Sequence, residues 1–245
     1  MSAAPAASPS TSSRRSEPYA DRRAAGAALA LALTRYVGRP DVVVLGLPRG
    51  GVPVAAEVAR ELQAPLDVLV VRKLGAPSQP ELALGAIAPG GVRYIDDALV
   101  ARTGTSPVAL AAVEASERQE LARREVAFRE GRPALSLRGR IALLVDDGIA
   151  TGATMIAAVR SARAAGAVSV VVAVPVAPAG CSARFAGIAD DVVIPWEPER
   201  FLAVGQWYRD FPQCTDAEVA QLLSPPLAPR ASGATPSVPP RPDPR

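Results

Sequence analysis

The chain is predicted to be an α/β fold built on a doubly wound parallel sheet. Three observations carry this expectation. Short, mainly apolar runs at 41–47, 66–71 and 141–145 read as strands, and the last is continuous, as in strands buried on both faces. They alternate with segments of helical period, the order that builds a parallel sheet through crossover helices. All three runs also leave through polar turns containing glycine, which places candidate ligand groups at the carboxyl edge of the sheet, where open α/β sheets bind.

The elements follow in order. A first amphipathic helix runs over 19–36 and ends near Gly38. Strand 41–47 leaves through Pro48-Arg49-Gly50-Gly51-Val52-Pro53, where two glycines permit close approach to a ligand or φ values closed to other residues. An ordinary tight strand-to-helix turn has the same composition. Helix 54–62 leads to strand 66–71, which ends in Arg72-Lys73. From Leu74 to Leu82, the residues Gly75, Pro77 and Pro80 argue against regular structure. Runs 84–88 and 92–95 flank Pro89-Gly90-Gly91 and predict a hairpin.

Ser106 is an N-cap with Pro107 in the first turn, and the helix they open reaches about Arg129 before Gly131. Its charges, Glu117, Arg118, Glu120 and Arg124 among them, read as a solvated face. Beyond strand 141–145, helix 152–165 stops at Gly166. Strand 169–174, a short helix near 181–186 and strand 191–194 complete the alternation. Thr215-Asp216-Ala217-Glu218 is a capping box for a last helix ending near Leu223. Residues 1–17, rich in Ala, Ser and Pro, and the Pro-rich 224–245 are expected to be disordered tails around one domain over 18–223.

Composition narrows the chemistry. At 245 residues and 49% apolar content, with a mean hydropathy of +0.17, the chain can bury a full core. No apolar run approaches the roughly 18 residues of a membrane span, so a cytoplasmic protein without a membrane partner is expected. Histidine is absent, which excludes Ser-His and Cys-His nucleophile systems and an imidazole base. Cys181 and Cys214 are the only cysteines and lie far apart, against a zinc site or disulfide framework. A net charge of +3 and a pI near 9.2 suit a polyanionic small molecule as readily as nucleic acid.

The most informative segment is the end of the run 141–145. Asp146 and Asp147 emerge there, and Ala150-Thr151-Gly152-Ala153-Thr154 opens the next helix. Unpaired amides and two hydroxyls at a helix N-terminus suit a phosphate. The carboxylates suit ribose hydroxyls or Mg²⁺. Either half alone is common, as a solvated turn or a plain helix start. The two in this order, after a buried strand, point to a site for a phosphorylated sugar.

This order resembles the PRPP-binding motif of the type I phosphoribosyltransferases. The wider chain is similar to a family of bacterial phosphoribosyltransferases of unassigned substrate, through Asp21-Arg22 with Ala25-Gly26, residues 47–55, 71–77, 80–87 and 145–148, and Val204-Gly205-Gln206-Trp207-Tyr208. The likeness spans nearly all of 19–223. It implies the type I fold, with a small C-terminal hood over about 176–223 joined by the N-terminal helix, and a flexible hairpin loop over 74–91 that closes on the site. It further implies an enzyme that displaces pyrophosphate from the anomeric carbon of PRPP with a nitrogen acceptor, a nucleobase or related compound, using Mg²⁺ as cofactor.

The resemblance also assigns roles. Asp146 and Asp147 would hold the ribose hydroxyls and Mg²⁺, directly or through water. Ala150, Thr151, Gly152, Ala153 and Thr154 would take the 5′-phosphate. Arg49, Gly50, Gly51 and Arg72 would take the pyrophosphate, with Lys73 offsetting its charge, and a cis peptide would fall at Arg49-Gly50 or Gly50-Gly51. Arg72 and Lys73 read equally as cations snorkelling from a strand end. Glu81 would be the acid–base group, as in adenine enzymes that use a loop glutamate, or a solvated carboxylate. Ala150 stands where enzymes for 6-oxopurines commonly carry an Asp, which disfavours hypoxanthine or guanine. Trp196, Phe201 and Trp207, with Tyr208, are candidates to stack on the acceptor or to fill the hood core.

Enzymes of this fold are often dimers, so a homodimer is an option that no interface motif decides. Two other readings share the binding site. One is a regulator that senses PRPP without turnover; against it, the sequence has neither a helix-turn-helix nor a basic stripe interleaved with aromatics, so nucleic acid is not an expected partner. The other is PRPP synthesis, which usually requires a second, ATP-binding half.

Overall fold

The computed structural model describes residues 17–129 and 133–223. Its main sheet has five parallel strands in the order β2 (Leu66–Val68), β1 (Val42–Gly46), β6 (Ile141–Val145), β7 (Ser169–Ala173) and β8 (Asp191–Val193). The three central strands run in step, with Val44 beside Leu143 and Leu143 beside Val171. Every residue of β1 and β6 is buried, which is why both read as unbroken apolar runs.

Helices cover both faces, as the doubly wound expectation requires. Val44, Leu143 and Val171 pack against α1 (Arg22–Ala32) and α2 (Gly51–Leu62), while Val43, Ala142, Leu144 and Val172 face α5 (Ala153–Ala164). Helix α1 is capped by Asp21, whose carboxylate accepts from Ala24 N at 2.8 Å. Helix α2 begins at Gly51 rather than at 54, because Pro53 falls in the first turn, where a missing N–H costs nothing.

A second sheet departs from expectation. Strand pairing in the main sheet stops at Val68, and the chain crosses into an antiparallel meander of β3 (Arg72–Ala76), β4 (Gln79–Ala88) and β5 (Val92–Ile95). Segment 74–82, expected to be irregular, is therefore mostly strand. Gly75 is the reason: a Cβ there would lie 2.4 Å from Pro80 O, so its absence lets the two backbones approach, with register shifts on both sides of it. The anticipated hairpin around Pro89-Gly90-Gly91 is present as β4–β5.

Helix α3 (Asp97–Thr103) has no counterpart among the expected elements, although Asp96 caps it and Gly104 ends it at φ +64°. Helix α4 (Pro107–Arg129) matches its expected span. It packs with α6 (Asp216–Leu223) on the second sheet through Leu110, Leu121, Phe128 and Val219. The capping box of α6 is formed: Thr215 N donates to Glu218 Oε2 at 2.7 Å and Glu218 N to Thr215 Oγ1 at 3.1 Å.

The two ends of the described chain meet in a small aromatic cluster. Tyr19 pairs in parallel with Tyr208, and Val176 with Trp196. The expected tails at 1–17 and 224–245 lie, apart from Glu17, outside the described residues. Among the described residues no helix is long and apolar enough to cross a membrane.

Candidate active site

A cleft of about 740 Å³ opens at the carboxyl ends of β1 and β6. One wall is Asp146 with the turn 148–152 and Thr154, the opposite wall is the hairpin β3–β4, and α4 closes the side. Pro48, Arg72, Lys73, Glu81 and Asp146 thus reach one cavity from four segments of the chain.

The 150–154 turn opens helix α5. Gly152 caps α5 in the left-handed conformation, at φ +84°. Ile156 N donates to Gly152 O at 2.9 Å, so the amides of the turn before it lie outside the helical ladder and face the positive end of the helix. Ala150 and Thr151 are exposed, Thr154 is half-buried, and Gly152 and Ala153 are buried. Arg184, for which the sequence carries no signal, donates from Nη1 to the carbonyl of Thr151 and braces the loop from outside.

The two acids are not equivalent. Asp146 lines the cleft and its Oδ1 accepts from Asp147 N at 2.8 Å. Asp147 points the other way: its Oδ2 accepts from Arg22 Nε at 2.9 Å, and its carbonyl accepts from the Tyr208 hydroxyl. Burial pushes the Asp146 carboxyl well above the ordinary carboxylate range, and the neighbouring Asp147 charge adds to it. Burial also raises Asp147, where Arg22 opposes the shift without cancelling it. The Tyr208 phenol is raised by burial and then by the Asp147 charge, so it stays a donor.

The glycine pair packs on these acids. A Cβ on Gly50 would lie 2.0 Å from Asp147 Oδ2, and one on Gly51 would lie 2.7 Å from both Val145 O and Asp146 Cα. Gly51 N donates to Leu47 O at 3.0 Å, so its amide, expected to bind pyrophosphate, is already satisfied within the turn. The cis peptide falls at Pro48–Arg49, one residue before the expected positions. Arg49 turns away from the cleft lining toward α6, with Nη1 3.6 Å from Asp216 Oδ1.

The hairpin brings Lys73 and Glu81 together, with Nζ 3.7 Å from Oε2, both in the cleft wall. Arg72 is held by Glu117 of α4 at 2.6 Å. That contact corrects the reading of α4 as a purely solvated face, because Glu117 and Arg124 both line the cleft. Their spacing of seven residues, two helical turns, was the available signal for a shared face.

The aromatic candidates are placed elsewhere. Trp196, Phe201 and Trp207 are absent from the cleft lining and pack on one another, with ring centroids 4.6 Å apart for Trp196–Trp207 and 6.0 Å for Phe201–Trp207. Tyr19 joins through Trp196 at 5.8 Å and Tyr208 at 5.7 Å. They form the hood core, the second of the two expectations for them, and Val204 is the hood residue that reaches the cleft.

A parallel sheet in this strand order, with an acid pair and a Thr/Gly helix-capping turn at the end of its central strand, is the arrangement that the type I phosphoribosyltransferase resemblance implies, at the sheet edge where α/β folds bind ligands. Residues 19–185 match the family described as "Phosphoribosyl transferase domain". The chain is 57% identical over 205 residues to the Mycobacterium tuberculosis proteins named "Putative phosphoribosyl transferase Rv0571c" (strain H37Rv) and "Putative phosphoribosyl transferase MT0597" (strain CDC 1551), covering 84% of this chain. It spans 46% of their length, about half. It is also similar to the crystal structure of TT1426 from Thermus thermophilus, at 44% identity and a TM-score of 0.70, covering 84% of this chain and 97% of that one. The chain belongs to the phosphoribosyl transferase family.

Proposed function

We propose that the protein transfers the 5-phosphoribosyl group of PRPP to a nitrogen acceptor and releases pyrophosphate. The observation that carries this reading is the convergence of Asp146, the 150–154 turn and the Lys73–Glu81 pair on one cleft. In the step itself the bond from the anomeric carbon to pyrophosphate breaks with its electron pair leaving on oxygen, and a carbon–nitrogen bond forms. The acceptor's proton passes to a base.

The chain's own residues would act mainly by placing charge. The amides and hydroxyls of 151–154 would bind the 5′-phosphate, and Asp146 would accept from a ribose hydroxyl. Lys73 would offset pyrophosphate charge, assisted by Arg72 once Glu117 shares it. Glu81 would take the acceptor proton, and the β3–β4 hairpin would exclude water from the cation-like transition state.

Mg²⁺ fits this donor set. Asp146 supplies a hard oxygen facing the cleft, and Mg²⁺ is usually held by one or two carboxylates with substrate phosphates and water supplying the rest. Asp147, taken up by Arg22, is the weaker of the two expected ligands. When bound, the ion would neutralise charge on the pyrophosphate.

The test is pyrophosphate release from PRPP, with and without Mg²⁺, in the presence of purines, pyrimidines and small amines. Release above hydrolysis with one acceptor supports the transferase and names its substrate. Saturable PRPP binding with no release across the panel would instead favour a PRPP-sensing role, and no PRPP binding at all would remove the reading.

A further inference from the structure

Arg22 is one of the few charged residues buried in this fold, at 8% exposure. A guanidinium taken from water persists only where its donors are satisfied. Here three different groups receive it. Nε donates to Asp147 Oδ2 at 2.9 Å, Nη1 donates to Pro212 O at 2.7 Å, and the group lies 3.8 Å from the centre of the Phe211 ring. Against the same oxygen, Gly50 approaches so closely that a Cβ there would be 2.0 Å from Asp147 Oδ2 and 3.3 Å from Arg22 Nη2. Asp147 is thus enclosed by Arg22, Gly50 and the Tyr208 hydroxyl, while its own N–H fixes Asp146 Oδ1 at 2.8 Å.

Building on the transferase reading, we propose that Arg22 is a positioning residue that splits the acid pair. It turns Asp147 away from the ligand and, through the Asp147 amide, leaves Asp146 as the single carboxylate addressed to the ribose. The signal in the sequence would be the Asp21-Arg22 pair at the start of α1: Asp21 caps the helix, which sets Arg22 on its first turn, 125 residues from its partner.

The proposal requires Arg22 and Asp147 to act as one unit, which a double-mutant cycle on PRPP affinity measures. Calorimetric titration with PRPP and Mg²⁺, below the melting temperature of each variant, gives the dissociation constants. Arg22→Met and Asp147→Asn are each expected to weaken binding about tenfold, and the double variant no more than either alone. Arg22→Lys, which keeps the charge but not the planar fork, is expected to recover part of the loss. Asp146→Asn should be the most damaging single change.

Losses that multiply in the double variant would overturn the assignment, as would an Arg22→Met protein that melts lower yet binds PRPP like the wild type. Should Arg22→Met fail to fold, Arg22→Lys combined with Asp147→Asn carries the same cycle. A wild-type protein that does not bind PRPP would instead remove the transferase reading on which the proposal rests.

Discussion

Gly50 and Asp147 occupy a space that admits no side-chain carbon at position 50, since a Cβ there would lie 2.0 Å from Asp147 Oδ2. Gly50→Ala must therefore displace either the loop or the acid, at an expected cost of roughly 1–3 kcal/mol. Gly51→Ala should behave alike, with its Cβ 2.7 Å from Val145 O. Gly90→Ala, at a hairpin tip with nothing within 4 Å and φ +75°, should cost only the backbone strain, about 1 kcal/mol. Denaturant midpoints for the three variants check the order.

Asp146→Asn separates function from stability. The carboxyl is costly where it sits, desolvated and beside a second acid, so the amide should leave the melting temperature unchanged or higher. PRPP affinity should fall on the order of tenfold or more, as expected when one charged partner of a ligand is lost. A clear drop in melting temperature would show that Asp146 holds the fold rather than the ligand. Asp147→Asn is the poorer probe, because it also strands the buried Arg22 charge.

Lys73 and Glu81 form a pair with side chains 49% and 93% exposed, and such pairs contribute little to stability. Lys73→Ala should shift unfolding by no more than about 0.5 kcal/mol while slowing pyrophosphate release on the order of 100-fold. Unaltered turnover would remove Lys73 from the proposed machinery.

Glu120, paired on α4 with Arg123 and with the cleft-lining Arg124, provides a pH test of stability. Arg123 and Arg124 hold its carboxyl down to about 2, from an ordinary 4.5. A depressed carboxylate stabilises the folded state above its unfolded value and loses that contribution as the pH falls through the folded one. The melting advantage of wild type over Glu120→Gln should thus be complete above about pH 5 and fade toward about pH 2. An advantage that grows on acidification would contradict the pairing.

Most of the framework was legible because it rests on local rules. The strands β1 and β6 are unbroken apolar runs, α4 is announced by Ser106-Pro107, and α6 by its capping box. The Asp146–Thr154 segment is equally local: Asp146, residues 148–152 and Thr154 line the cleft, while Asp147 turns to Arg22. What escaped was non-local. Gly75 and Pro80 have breaker propensity, yet the close approach they allow is what pairs β3 with β4. Arg22 meets Asp147 across 125 residues, and the Asp21-Arg22 pair and the acid pair, each visible locally, do not show that they meet. Trp196, Phe201 and Trp207 have composition that suits stacking on a ligand or on each other, and only the packing decides between them.

The Arg22 contacts also bear on the order in which the protein is made. Arg22 is translated among the first residues of the domain, but the Pro212 carbonyl and the Phe211 ring that receive it come 190 and 189 positions later. A chain still on the ribosome, with all of the main-sheet strands emerged but residues 208–212 inside the exit tunnel, holds the acid pair without its clamp. Vectorial synthesis therefore leaves the Arg22–Asp147 pair without its C-terminal partners until almost the whole described chain is released.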